Sequence, residues 1–253
     1  MIKWSFSGLK DFANCPRQYN EIKVRQNFTK GVTQQMLYGT EVHKALEDYT
    51  REGTELPAFY KKYQPMLDAL LEIPGTRYPE HKMALTEAKE PCAFDADEYW
   101  VRGIADLLIV DGPDAYIIDY KTGSAKYPDT NQLKLMALMV FEHFPEVTKI
   151  KAGLLFVAHN SFVEETYTRD HIASMWNIFA WNLLRLRTAL DTNTWPANPT
   201  PLCKWCPVTS CEHHKEYPCH TLPLSVLTSA STRSSLSGAN TKIGWSANVL
   251  AGR

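Results

Sequence analysis

The stretch Val101–Gly123, VRGIADLLIVDGPDAYIIDYKTG, constrains this chain more than any other. Two apolar runs, Val101–Val110 and Ala115–Ile118, flank Asp111-Gly112-Pro113-Asp114, four turn formers. Such a pattern predicts an antiparallel hairpin. With those four residues as the loop, Val110 faces Ala115, and counting back sets Asp106 opposite Asp119. Opposed residues share a face, with Cβ atoms about 4.5–5.5 Å apart. Period-two alternation adds Lys121 to that face. Two carboxylates so placed repel and weaken the sheet unless something offsets them. A divalent cation does so: Mg2+ takes oxygen ligands, typically one or two carboxylates with water and phosphate. The plainer alternative is a surface hairpin with solvated aspartates and a weak Lys121 salt bridge. The greasy strand that ends in Ile117-Ile118-Asp119 argues against it.

Around the hairpin the spacing predicts a helix from Ser5 to about Asn20 and another from Gln34 to Arg51 capped by Thr33. The second carries Gly39 and His43 on one face, four residues apart. A short helix around Ala58–Leu71 and a first strand over Glu80–Glu87 precede the hairpin. A helix over Thr130–Phe144, two strands over Lys151–His159 and Phe162–Thr168, and a long helix from about Arg169 to Asp191 follow it. This order predicts an α/β fold with a mixed central sheet flanked by helices. From Leu222 the composition turns to Ser and Thr, without acidic residues from Thr221 to Arg253, so residues 1–220 read as one domain and 221–253 as a disordered tail.

Bulk charge, −1 over 253 residues, does not announce a nucleic-acid binder. Its distribution is more telling. Lys3, Lys10, Arg17, Lys23, Arg25 and Lys30 outnumber Asp11 and Glu21 in the first thirty residues, a basic arm. No run of eighteen apolar residues suggests a membrane span, and the start MIKWSFSGLKDF lacks a signal core, so a cytoplasmic protein without membrane contact is expected. There, six cysteines point to metal ligands or inert thiols rather than disulfides.

Cys203-x2-Cys206-x4-Cys211 is a tight thiol cluster in a proline-punctuated loop, a metal signal that needs a fourth ligand. Cys219 completes a four-cysteine zinc site, and His213, His214 or His220 a zinc knuckle. Cys15, far upstream, is the other choice. Cys92 reads as a buried apolar thiol.

Gly103-x-x-Asp106 followed by Asp119-Tyr120-Lys121 resembles the PD-(D/E)XK nuclease superfamily, and more narrowly its RecB-like branch, with the CRISPR-associated and AddB-type exonucleases that carry an iron–sulfur cluster. The resemblance spans roughly residues 4–215. It implies a restriction-endonuclease-like core whose chain ends are joined by a 4Fe–4S cluster on Cys15, Cys203, Cys206 and Cys211, with Zn2+ as the alternative. It implies Mg2+ or Mn2+ held by His43, Asp106, Asp119 and the Tyr120 carbonyl, with Lys121 as the catalytic cation. Gln132 resembles the start of the family's Gln-x-x-x-Tyr motif, from which this chain departs with Met136. Glu80 or Glu87 corresponds to a carboxylate of the first strand. The implied activity is metal-dependent exonucleolytic hydrolysis of DNA ends or single strands, with Lys10, Arg17, Gln132 and Lys134 along the DNA. Recombination or replication proteins are the implied partners, and a phage or mobile element the implied source. A non-catalytic DNA-binding or assembly protein and a zinc-stapled scaffold remain open beside it.

Overall fold

Six strands form one mixed sheet in the order β2-β1-β3-β4-β5-β6. They are β1 (Thr76–Leu85), β2 (Pro91–Cys92), β3 (Val101–Asp111), β4 (Asp114–Lys121), β5 (Lys149–Phe156) and β6 (Ser161–Thr168). The structure is a computed structural model that describes residues 2–214; the Ser/Thr-rich tail, Cys219 and His220 lie outside the described residues. β4 and β5 run parallel, and the other neighbours are antiparallel. A parallel pair needs a crossover, here α5 (Asn131–His143).

Helices cover both faces. α1 (Phe6–Asn14), α5 and α6 (Ile172–Thr192) share one core with the sheet, around Phe12, Leu108, Ile117, Met136 and Phe179. α3 (Gln34–Glu52) and α4 (Gln64–Leu71) share the other, around Val42, Leu46, Leu67, Ile118 and Tyr120. β4 lies between two apolar layers, buried from Ala115 to Tyr120. That is why this strand reads as a continuous hydrophobic run.

Several boundaries differ from the sequence expectation: among them, Val157–His159 and Arg169–His171 form 3-10 turns rather than the end of β5 and the start of α6. The first helix stops at Asn14, because Cys15 precedes Pro16 and proline disfavours helical backbone in the residue before it. Pro16 then starts a second short helix, α2 (Pro16–Tyr19). In the third segment, a turn and a 3-10 turn over Lys61–Tyr63 come before α4. β1 begins at Thr76 rather than Glu80, with Pro79 inside it and opposite Leu107. β2 pairs only with Ala84 and Leu85, so β1 is an edge at Pro79, where a missing N–H is tolerated.

At Gly103 α5 packs close against the sheet. A Cβ there would lie 2.4 Å from Met136 Cε and 2.8 Å from Met139 Cε. The methionine that replaces the expected tyrosine therefore packs beneath this glycine.

Candidate active site

The β3–β4 register is the one counted from the turn, from Asp111↔Asp114 through Val110↔Ala115 to Leu107↔Ile118. There the ladder ends. Asp106 and Asp119 form no rung, and Asp106 Oδ2 instead accepts the Tyr120 N–H at 2.6 Å. The neighbouring ladder is interrupted at the same level: Pro79 pairs with Leu107 and His81 with Ala105, but Glu80 and Asp106 do not pair. Glu80 sits at φ +50, in the left-handed region. Both strands change phase here. Met83, Leu85 and Ala105 face the α5-side core, and so do Leu108 and Tyr78, one step out of alternation. A non-glycine residue in this region costs on the order of 1–3 kcal/mol and persists only where its surroundings enforce it.

The dislocation gathers the site. His43 Nδ1 on α3 lies 3.4 Å from Asp106 Oδ2. One ligand atom each from His43, Glu80 and Asp106 fall within 4.8 Å of one another. The His43 ring meets the Tyr120 ring edge-on at 6.1 Å, and Tyr120 is packed in the core. Asp119 is only 4% exposed, outside that trio, and its Oδ2 lies 2.6 Å from Lys121 Nζ. The same ammonium donates to Gln132 Oε1 at 2.9 Å, from the first turn of α5. Gly39, one turn before His43, faces Thr122, so α3 abuts the strand end.

The electrostatics of this group call for positive charge. Burial, then the Asp106 charge, push the Asp119 carboxyl up to about 6, against the pull of Lys121 and His43. Burial, then Asp106 and Glu47, raise Glu80. Burial pushes the His43 imidazole down, but its hydrogen bond to Asp106 and the charges of Asp106, Asp119 and Glu80 more than offset that and raise it. Carboxylate oxygens with one imidazole suit a hard divalent cation, Mg2+ or, with the nitrogen ligand, Mn2+.

Glu80 is the residue that the family resemblance left tied with Glu87. Glu87 pairs with Arg187 at 2.9 Å on the surface. The available signal was Pro79, since proline within a strand marks an edge or a bulge.

The basic residues expected along DNA are engaged within the protein. Lys10 pairs with Asp129 at 2.7 Å, Lys30 with Asp11 at 2.7 Å, and Arg17 with Glu212. Lys134, its side chain 18% exposed, contacts Glu165 at 2.9 Å and donates to Thr130 Oγ1 at 2.9 Å. It braces the start of α5 against β6.

Cys15 lies at the α1–α2 break, Cys203 and Cys206 in and after the 3-10 turn Pro201–Trp205, and Cys211 just beyond. N–H groups point at three of the sulfurs: Asn198 at Cys15 (3.5 Å), Thr200 at Cys203 (3.3 Å) and Gln18 Nε2 at Cys206 (3.2 Å). Burial raises the Cys211 thiol, Arg17 pulls it down, and Cys15 is among the groups that push it up. Asn198 Nδ2 donates to Asn14 O at 2.8 Å, binding the two chain segments together. Among the described residues, no three of these sulfurs lie within 4.8 Å of one another. Cys92, on β2, lies apart, and burial raises its thiol. His213 Nε2 lies 3.5 Å from Glu212 Oε1.

A family model described as the PD-(D/E)XK nuclease superfamily matches residues 3–211. An exonuclease candidate from Eubacterium rectale, known as a crystal structure, superposes with a TM-score of 0.49 at 15% identity over 81% of this chain and 86% of its own. The crystal structure of SSO0001 superposes with a TM-score of 0.43 at 13% identity over 85% and 88%. No curated protein matches the chain.

Proposed function

The chain belongs to the PD-(D/E)XK nuclease superfamily, and from that premise we propose that it is a divalent-metal-dependent DNA exonuclease acting on ends or single strands. The observation that carries this reading is the broken rung that brings His43, Glu80 and Asp106 together beside the Asp119–Lys121 pair. Asp106, His43, Glu80 and Asp119 would hold Mg2+ or Mn2+, with the Tyr120 carbonyl as a further ligand. Such an ion, when bound, would supply Lewis acidity that lowers the pKa of a water and offsets the charge of the scissile phosphate. Lys121, set between Asp119 Oδ2 and Gln132 Oε1, orients that water and meets the charge that develops on the phosphate. Asp119 and Gln132 keep the ammonium at that position. Water oxygen bonds to phosphorus as the phosphodiester P–O bond breaks, and the leaving oxygen takes up a proton.

We assign to Cys15, Cys203, Cys206 and Cys211 a 4Fe–4S cluster in preference to zinc. Hydrogen bonds to sulfur are what a ligating thiolate uses, and three of the four sulfurs accept one. The cluster's role is structural: it closes almost the whole domain, worth on the order of 4–5 kcal/mol if it acts like a long disulfide loop. The process served is DNA recombination, repair or replication in the cytoplasm, beside proteins of those pathways. Among the described residues, no helix is long and apolar enough to cross a membrane.

The test is digestion of end-labelled single-stranded and duplex DNA with Mg2+, Mn2+ or a chelator. The expected result is cation-dependent loss of label from the ends. DNA binding without hydrolysis under every condition would replace this reading with that of a non-catalytic binder.

A further inference from the structure

Residues 122–130 form a loop between the end of β4 and the start of α5, and both its ends are tied at the site, where Lys121 meets Gln132. The loop is pinned along its length. Ser124 Oγ accepts the Lys126 N–H at 3.2 Å, and Ala125 packs against the core. Asp129 accepts the Asn131 N–H at 3.2 Å and the Lys10 ammonium at 2.7 Å. Between these anchors Tyr127 is 81% exposed, more than any other large hydrophobic side chain among the described residues. Lys126 Nζ stands over its ring, 5.1 Å from the centroid. A ring held out in water, faced by a cation and a few residues from the reactive ammonium, is poorly placed for folding and well placed for a flat, anionic ligand.

We propose that Tyr127 is a stacking platform for an unpaired base of the DNA strand whose phosphate lies at Lys121, and that it gives the enzyme a preference for single-stranded ends. This inference rests on the nuclease reading above. Every base has a π-face, so the contact is indifferent to sequence. Within a duplex both faces of a base are covered by its neighbours and a blunt end leaves open only the outer face of its last pair, whereas an unpaired base is free to turn a face to a ring beside the strand. Lys126, released from the ring face, meets the adjoining phosphate, a salt-dependent contact.

The experiment compares the wild type, Tyr127→Ala and Tyr127→Phe on an end-labelled single strand, on the same strand in a blunt duplex, and on the strand with abasic terminal nucleotides. For Tyr127→Ala, KM on the single strand is expected to rise on the order of tenfold to a hundredfold, the range that loss of one base stack carries. kcat and duplex cleavage stay unchanged, Tyr127→Phe retains wild-type behaviour, and abasic ends abolish the difference between variants. Equal KM for wild type and Tyr127→Ala on the single strand, or an equal loss on single strand and duplex, overturns the proposal. Anisotropy of the labelled single strand without divalent cation gives a readout independent of cleavage. Weaker binding by Tyr127→Ala together with an inactive wild type would keep the platform and remove the nuclease reading; unchanged binding removes the platform.

Discussion

The carboxylate of Asp106 accepts the backbone N–H of Tyr120 at 2.6 Å, just past the last β3–β4 rung, where a continued ladder would use main-chain groups. One side chain thus ends the hairpin's pairing and ties itself to the residue between Asp119 and Lys121. It also stands 3.4 Å from His43. A change at Asp106 therefore has two separable effects, one on β4 and one on charge.

Asp106→Asn retains an acceptor for the Tyr120 N–H, whereas Asp106→Ala leaves that donor unpaired. The alanine variant should be less stable than the asparagine variant by about 1–3 kcal/mol in urea unfolding. Both should lose cleavage. Equal stabilities would mean that the hydrogen bond contributes nothing to the hairpin.

Stability should respond to pH and metal together. Asp119 has its carboxyl pushed up from 3.8 to about 6, so the folded chain holds a proton that the unfolded chain has lost. Below pH 4 both states are protonated and the group contributes nothing. Between pH 4 and pH 6 the folded state loses stability as pH rises, and above pH 6 the full penalty stands. The raised imidazole of His43 acts in the same direction, its contribution being lost as pH rises. Mn2+ offsets the penalty only where these groups have given up their protons. Thermal melts should therefore show a larger Mn2+-induced rise in Tm at pH 7.5 than at pH 5; an equal or reversed difference would dissociate the ion from these groups.

Glu80 and Glu87 can be told apart by titration calorimetry. Glu80→Gln should weaken Mn2+ binding by at least about tenfold, the scale of losses around metal sites. Glu87→Gln, which only frees Arg187 at the surface, should leave it unchanged.

The thiol cluster should colour the protein. Anaerobically purified material should be brown and contain iron and sulfide, and Cys15→Ser should lose visible absorbance and lower Tm. A colourless protein with one bound zinc would overturn the iron–sulfur assignment.

The hairpin was legible because its turn chemistry and two-residue period are local, and counting from Val110↔Ala115 carried correctly to Leu107↔Ile118. The break beyond was not, because it depends on a third strand: Glu80 and Asp106 drop out of the β1–β3 ladder together, and the local signal, Pro79, marks an edge or a bulge without saying which side chain turns to the site. The helical spacing of Gly39 and His43 was readable for the same local reason as the turn. The ion-pair partners of the basic residues were hidden by distance in the chain. Lys10 and Arg17 look free in sequence, yet their partners Asp129 and Glu212 lie 119 and 195 residues away. Lys134 likewise owes its place to Glu165 on a strand that had no visible tie to α5.

The central claim is that Lys121, held by Asp119 and Gln132, acts on a phosphate beside a cation at Asp106. It is tested most directly by single-turnover cleavage of end-labelled DNA in Mn2+ by wild type and Lys121→Ala, with Mn2+ affinity measured on the same preparations. The expected result is a rate lower by about a hundredfold to a thousandfold at saturating Mn2+, as for the loss of one aimed donor, with Tm also lower because the buried Asp119 loses its partner. Cleavage by Lys121→Ala at the wild-type rate would contradict it.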